Sequence, residues 1–397
     1  MSDIFLVRQP VFGPTGNRLG YEIRVRDSED GRDAFARSVL SGTFDLVRGD
    51  QPAFVTWTRE QLLDPDFPII DPKIAVLFLP PSLAAEPEIV AALERYRAEG
   101  GSVALDDLDD AVVPSEALLP YATWARVDMR LGDLALIGRI CDRMTAGNKS
   151  VRLMACCIEA HEEFEFALNM VMDGFQGTYF STPEPVAAAE LPQSTVTALR
   201  LLGSSRDPKV TDPQLEAIIA TDPVITFHLL RLVNSAAAGG RGVQSIGQAL
   251  RLVGRTALQR WLAVAVAVSR KSKTGVDQEL VQRALERGHL LEQLTGEGRE
   301  SGTLFLVGLF SMLDAVFRMP LAQLLERASL SQEVTDALLE HTGPYAPALA
   351  FVEAYESGDF DQAFAMADQL QIARSRITEV YMNALKAAHT TLGTVSA

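Results

Sequence analysis

Residues 151–183, VRLMACCIEAHEEFEFALNMVMDGFQGTYFSTP, hold a strand, a helix and a second strand where one texture of sequence gives way to another. Val151, Leu153, Met154 and Ala155 belong to a short apolar run, and Phe164, Ala167, Leu168 and Val171 then recur at helical spacing behind the polar opening 159–163. This is a βα unit. Gly174 breaks the helix, residues 175–180 resume as a strand, and Pro183 and Pro185 end it. In a parallel barrel, residues just past the strands face the mouth, where such folds keep their chemistry. Cys156, Glu159 and Gln176 take those places, and a cysteine in place of a carboxylate is the first sign that the chemistry is missing.

Upstream, the pattern alternates. Residues 4–12 and 19–26 read as two strands joined by the turn GPTGN at 13–17, a hairpin that opens the domain. Apolar runs recur at 53–55, 74–79, 103–105, 124–127 and 151–155, with helical stretches such as 89–99 and 134–144 between several of them. Such alternation predicts βαβ crossovers and a parallel sheet, and its spacing over roughly 180 residues suits a closed (β/α)₈ barrel at its small end. Downstream, residues 187–193 read as a linker, and from Val196 every periodic segment is helical, with Asp222-Pro223 opening one helix and Gly254 and Gly302 punctuating others. No period of 20 to 50 residues repeats, so an all-α domain is predicted rather than a solenoid.

Composition limits the function classes. The 397 residues carry a formal net charge of −16, which disfavours a general phosphate-backbone binder, since such a protein needs a basic footprint. Three cysteines, two of them adjacent, form neither a disulfide framework nor a zinc spacing pattern. The N-terminus has no secretory pattern, and the longest apolar run, 261–268, is too short to span a bilayer. A cytoplasmic protein, with no membrane and no general nucleic-acid partner, is expected.

The strands share one habit. Leu105 runs into Asp106 and Asp107, Val127 into Asp128, and Ala155 toward Glu159. One Asp past a strand also serves as a helix cap, but several together with Glu22 point to a site at the barrel mouth.

The order and spacing of these residues resemble the EAL domain, the cyclic di-GMP phosphodiesterase barrel. Glu22 in YEIRVR stands where that family has E-x-L-x-R, Asp106-Asp107 match its Asp pair, and FQGTYFSTP at 175–183 resembles its Q-G-Y-x-F-x-x-P ending. The second half resembles an HDOD domain, a helical relative of HD phosphohydrolases, through DPV at 222–224, LLRLVNSA at 229–236 and GLFSMLDA at 308–315. The implied architecture is an EAL-type barrel over 1–186, a linker at 187–193 and an HDOD domain over 194–397.

The resemblance implies two Mg²⁺ or Mn²⁺ ions on carboxylates and an Asn, with a lysine and a further glutamate orienting the attacking water. This chain keeps Glu22, Asp106, Asp107, Glu159 and Gln176. It departs at four positions: Asn falls on Thr56, Glu on Phe78, Lys on Arg126, and the first Glu of E-x-x-E on Cys156. Hard divalent ions want oxygen ligands, so a phenyl ring or a thiol removes both charge and coordination. A weak remnant Mg²⁺ or Mn²⁺ site on Glu22, Asp106, Asp107 and Glu159 is expected at most. Gln9, Arg26, Asp128 and Gln176 stand where the family contacts its ligand. In the second half, the His-Asp of HD hydrolases falls on Ser311-Met312, and the histidines, at 161, 228, 289, 341 and 389, lack metal-ligand spacing. The run RKSK at 270–273 reads as a solvated helix end. The expected function is a non-catalytic regulatory adaptor for a protein partner; the alternatives are a cyclic di-GMP receptor without hydrolysis and an active phosphodiesterase.

Overall fold

The alternating residues of the first half become eight strands: β1 (Ile4–Phe12), β2 (Arg18–Asp27), β3 (Ala53–Thr56), β4 (Ala75–Leu79), β5 (Ser102–Leu108), β6 (Trp124–Asp128), β7 (Arg152–Cys156) and β8 (Gly174–Phe175). They close into a barrel in sequence order. The computed structural model describes residues 4–27, 34–64, 69–108, 114–181, 191–236, 243, 245–269, 274–294, 301–328 and 330–396.

Because the turn at 13–17 is too short for a crossover, β1 pairs antiparallel with β2, and it also meets β8 antiparallel; all other pairs are parallel. Helices cross between β4 and β5 (Pro87–Ala98), between β6 and β7 (Leu134–Gly147) and between β7 and β8 (His161–Asn169). The β5-to-β6 connection instead includes a 3₁₀ turn, Pro114–Tyr121. Asp133 caps Leu134–Gly147 by accepting from the N–H groups of Ala135 and Leu136.

Side chains alternate along each strand, and the inward set decides the interior. Val11, Phe54, Val76, Phe78, Ala104, Trp124 and Met154 form one buried layer. Two residues further along β5, β6 and β7 lie Asp106, Arg126 and Cys156, also buried. The apolar layer is therefore a floor, with a polar layer above it toward the C-terminal ends of the parallel strands.

The second strand expected at 175–180 is much shorter. It stops at Phe175, and Thr178–Ser181 is a 3₁₀ turn. The cause is local: the Ile158 N–H donates to Gln176 O (3.1 Å) and the Tyr179 N–H to Ile158 O (3.0 Å), which turns the chain around Ile158. Gly177 is required there, because a Cβ would collide with the Ile158 backbone. Val171, read as part of the helix face, lies beyond the helix at positive φ and is exposed.

The chain divides into two compact units, one running to Ser181 and taking in Thr274–Val276 and Tyr355–Phe360, the other formed by the remainder. From Gln193 to Ser396 every described element is a helix. Asp222 caps Pro223–Ala236, and Gly254, with φ 74°, kinks Ile246–Val268 at the place where the sequence reads as a break between two helices. Leu229, Val233, Val307, Leu309, Phe310 and Leu313 are buried, whereas Leu230 and Leu232 are half-buried. Most of the 187–193 stretch and the run at 270–273 lie outside the described residues. No described helix is long and apolar enough to cross a membrane.

Candidate functional site

The polar layer is organised by one guanidinium. Arg126, two residues past Trp124 on β6, points into the barrel mouth and is 6% exposed. Its Nε and Nη2 form a fork on Asp106, with Nη2 to Oδ2 at 2.8 Å. Its Nη1 lies 3.2 Å from Glu22 Oε2 and donates to Gln176 Oε1 at 3.4 Å. The Phe78 ring lies beneath, 4.0 Å from the guanidinium carbon, a cation–π contact in a buried setting.

Around this cation the other groups are consistent in sign. Gln176 donates from Nε2 to Glu22 and, at 3.4 Å, to Gln9 Oε1; Gln9 is also the β1 partner of Glu22 in register. Arg24, two residues after Glu22 and so on the same strand face, places Nε 3.3 Å from Glu22 Oε1. Burial alone would push the Glu22 carboxyl up, but the charges of Arg126 and Arg24 and the Gln176 hydrogen bond bring it below its ordinary value. For Arg126, burial opposes the charge, and Glu22 and Asp106 more than offset it, so the guanidinium stays protonated.

The positions tied to a divalent site by resemblance are thus brought together only in part. Glu22 and Asp106 converge, but on the N–H donors of Arg126. Glu159 is exposed beyond β7 and stands apart, and the Asp107 side chain lies outside the described residues. Thr56 ends β3 with an exposed side chain, in register with Phe78, so neither supplies a buried oxygen ligand. The residues present do not fit a pair of hard divalent ions, since the carboxylate oxygens that would bind them already accept hydrogen bonds from a buried cation.

A second cluster stands at the ends of β6 and β7, where Asp128 and Cys156 are register partners. Asp128 accepts the Arg130 backbone N–H at 2.8 Å and pairs with the Arg130 guanidinium, Nε to Oδ2 at 3.0 Å. Burial would push the Asp128 carboxyl up, but these Arg130 contacts bring it below its ordinary value. Cys157 has φ 58°, which turns its thiol beside that of Cys156. The two sulfurs share a hydrogen bond that holds the proton on buried Cys156, raising its thiol, and lowers the thiol of half-buried Cys157. Arg26 is half-buried near the end of β2, its guanidinium 6.0 Å from the Phe360 ring centre.

Sequence reasoning missed Arg24 and Arg130. Both were legible as period-two neighbours of an acid, in E-I-R at 22–24 and D-M-R at 128–130. In the helical unit, Ser311 accepts from Arg287 Nη1 at 3.0 Å and Met312 is buried, so the positions matching His-Asp serve a hydrogen bond and the core. His289 is buried and lies 3.0 Å, Nδ1 to Nη2, from Arg260. Among the described residues no histidine joins a group of potential metal ligands.

Residues 191–342 match the HDOD domain family. Over nearly its whole length the chain is 25% identical to the uncharacterized protein YuxH of Bacillus subtilis, covering 97% of this chain and 98% of that protein. It is 27% identical to the cyclic di-GMP phosphodiesterase CdgJ of Vibrio cholerae, covering 91% and 86%. A solved standalone EAL protein from Vibrio cholerae O395, in its c-di-GMP-bound form, is 15% identical with a TM-score of 0.36, over 46% of this chain and 92% of the other. The chain thus carries a match to the HDOD domain at 191–342 behind an eight-stranded barrel, and over most of its length it is similar to a cyclic di-GMP phosphodiesterase.

Proposed function

We propose that this protein is a regulatory binding protein whose barrel does not hydrolyse cyclic di-GMP and requires no divalent ion. The observation that carries the reading is Arg126, seated between Glu22 and Asp106. In two-metal phosphodiester chemistry the ions generate the nucleophile and stabilise the attacking and leaving oxygens. A guanidinium supplies a positive charge, but it accepts no water as a ligand, and here its donors are engaged. Thr56, Phe78 and Cys156 remove further oxygen ligands. The similarity to CdgJ identifies the reaction to be tested, and Gln9, Arg26, Asp128 and Gln176 are the residues a bound nucleotide would meet.

On this reading the barrel extends to about residue 186, the linker is 187–193, and the helical domain follows from 194. The fold serves as a binding scaffold, because a core can persist after its chemistry has gone. Val224, Phe227 and Leu252 of the helical unit are large, exposed apolar side chains of the kind that a protein partner covers. The test is product chromatography of cyclic di-GMP incubated with the full chain in Mg²⁺ or Mn²⁺, beside Glu22→Ala. No turnover above that of the variant is expected. Metal-dependent turnover abolished by Glu22→Ala would overturn the proposal. Calorimetric titration of the same samples separates the two non-catalytic roles: binding without product marks a nucleotide receptor, and its absence leaves the protein-binding adaptor.

A further inference from the structure

We propose that Asp128, Cys156 and Cys157 form a site for one thiophilic metal ion of the zinc class, beside the Glu22–Asp106–Arg126 cluster. One carboxylate oxygen and the two sulfurs all lie within 4.8 Å of one another. Ligands held about 2.0–2.3 Å from a common Zn²⁺ at tetrahedral angles stand roughly 3.3–3.8 Å apart, so closure needs shifts of no more than about 1.5 Å. Adjacent residues on a strand point to opposite faces, and two neighbouring cysteines in regular β structure cannot chelate one ion. Here β7 ends at Cys156, and the left-handed backbone of Cys157 brings the second sulfur round to the first.

The donor set selects the ion. Two sulfurs and one oxygen suit Zn²⁺ and its soft relatives and disfavour Mg²⁺, Mn²⁺ and Ca²⁺, which want oxygen throughout. Water would complete a tetrahedron, since Cys157 and Asp128 are half-buried and the site opens to solvent. A divalent ion with two thiolates and one carboxylate keeps one net negative charge. Arg130 offsets it: its guanidinium already rests on Asp128 and is itself largely exposed, so it can follow the carboxylate as an outer-sphere partner. The two thiol protons leave to solvent as the metal–sulfur bonds form, and no oxidation is involved.

The test is titration of the reduced, metal-free full chain with Cd²⁺ or Co²⁺, following sulfur-to-metal charge-transfer absorption, with Zn²⁺ affinity from competition against a chromophoric chelator. One equivalent per chain is expected, with the band lost in Cys156→Ser and in Cys157→Ser, the affinity weakened at least about tenfold in Asp128→Asn, and no change in Cys141→Ser. As a readout on the unaltered protein, Zn²⁺ should protect the peptide carrying Cys156 and Cys157 from alkylation and leave the behaviour of Cys141 unchanged. Absence of the band in the unaltered chain, its persistence in the double Cys→Ser variant, or full affinity in Asp128→Asn would overturn the proposal.

Discussion

Replacing Arg126 by Met removes the charge while keeping an apolar side chain of similar length over the Phe78 ring, so the effect isolates the cation. In the native barrel, Glu22 and Arg126 are respectively 4% and 7% exposed in their side chains, and Asp106 is 6% exposed. Removing one partner of a buried ion pair costs about 3–5 kcal/mol, because the surviving charge is left in a poor dielectric. Arg126 serves two carboxylates, so the upper part of that range is expected at neutral pH. The pH dependence carries a sign. With Arg126 present, Glu22 has a folded pKa below its unfolded value, so it contributes stability above the unfolded pKa that is lost as pH falls through the folded one. In Arg126→Met the largest charge that lowers the Glu22 carboxyl is gone while its burial remains, so the folded pKa of Glu22 rises from its native position. Protonation then relieves the variant, and the gap to the native protein narrows below about pH 5. The assay is urea unfolding followed by tryptophan fluorescence in a Trp261→Phe background, which leaves Trp57 and Trp124 as barrel reporters. Equal stability of the two proteins across the pH range would refute the role given to Arg126.

Cys156→Glu alone is expected to leave cyclic di-GMP hydrolysis undetectable, since Thr56, Phe78 and Arg126 remain and a two-metal ligand set acts as a unit; chromatography of the product checks this. Gly177→Ala should destabilise the barrel by about 1–3 kcal/mol or more, read by the same fluorescence assay, because its Cβ meets the Ile158 backbone rather than a side chain that can move. In metal-free protein, iodoacetamide should modify Cys157 first, as its thiol is lowered by the Cys156 hydrogen bond. Cys141, whose thiol burial pushes up to about 11, should react last; mass spectrometry against time gives the order.

Much of the barrel was legible because strand and helix periods differ, and the runs at 53–55, 74–79, 103–105 and 124–127 are bounded by polar or turn residues. The convergence of Glu22, Asp106 and Arg126 was legible only as separate positions. Asp106 and Arg126 each sit two residues from an apolar inward neighbour, but their meeting with Glu22, from strands that are not all neighbours in the sheet, is a long-range property that no local pattern encodes. Arg126 reads in sequence as a lysine replacement; that it faces both carboxylates at once depends on barrel closure. The short β8 was hidden because the apolar residues Tyr179 and Phe180 resemble strand residues, whereas they pack as rings with Phe164 in the 3₁₀ turn. Cys157 gave no local sign of its left-handed backbone, a conformation that side chains rarely adopt and that neighbouring structure imposes.

Direct Mn²⁺ binding to the full chain, measured by electron paramagnetic resonance of the free ion, tests the seat of Arg126 most closely. The native protein should leave Mn²⁺ free at concentrations where Arg126→Ala, with Glu22 and Asp106 released, takes up the ion and loses that uptake on further Glu22→Ala substitution. Mn²⁺ bound by the native protein and lost in Glu22→Ala would contradict the account.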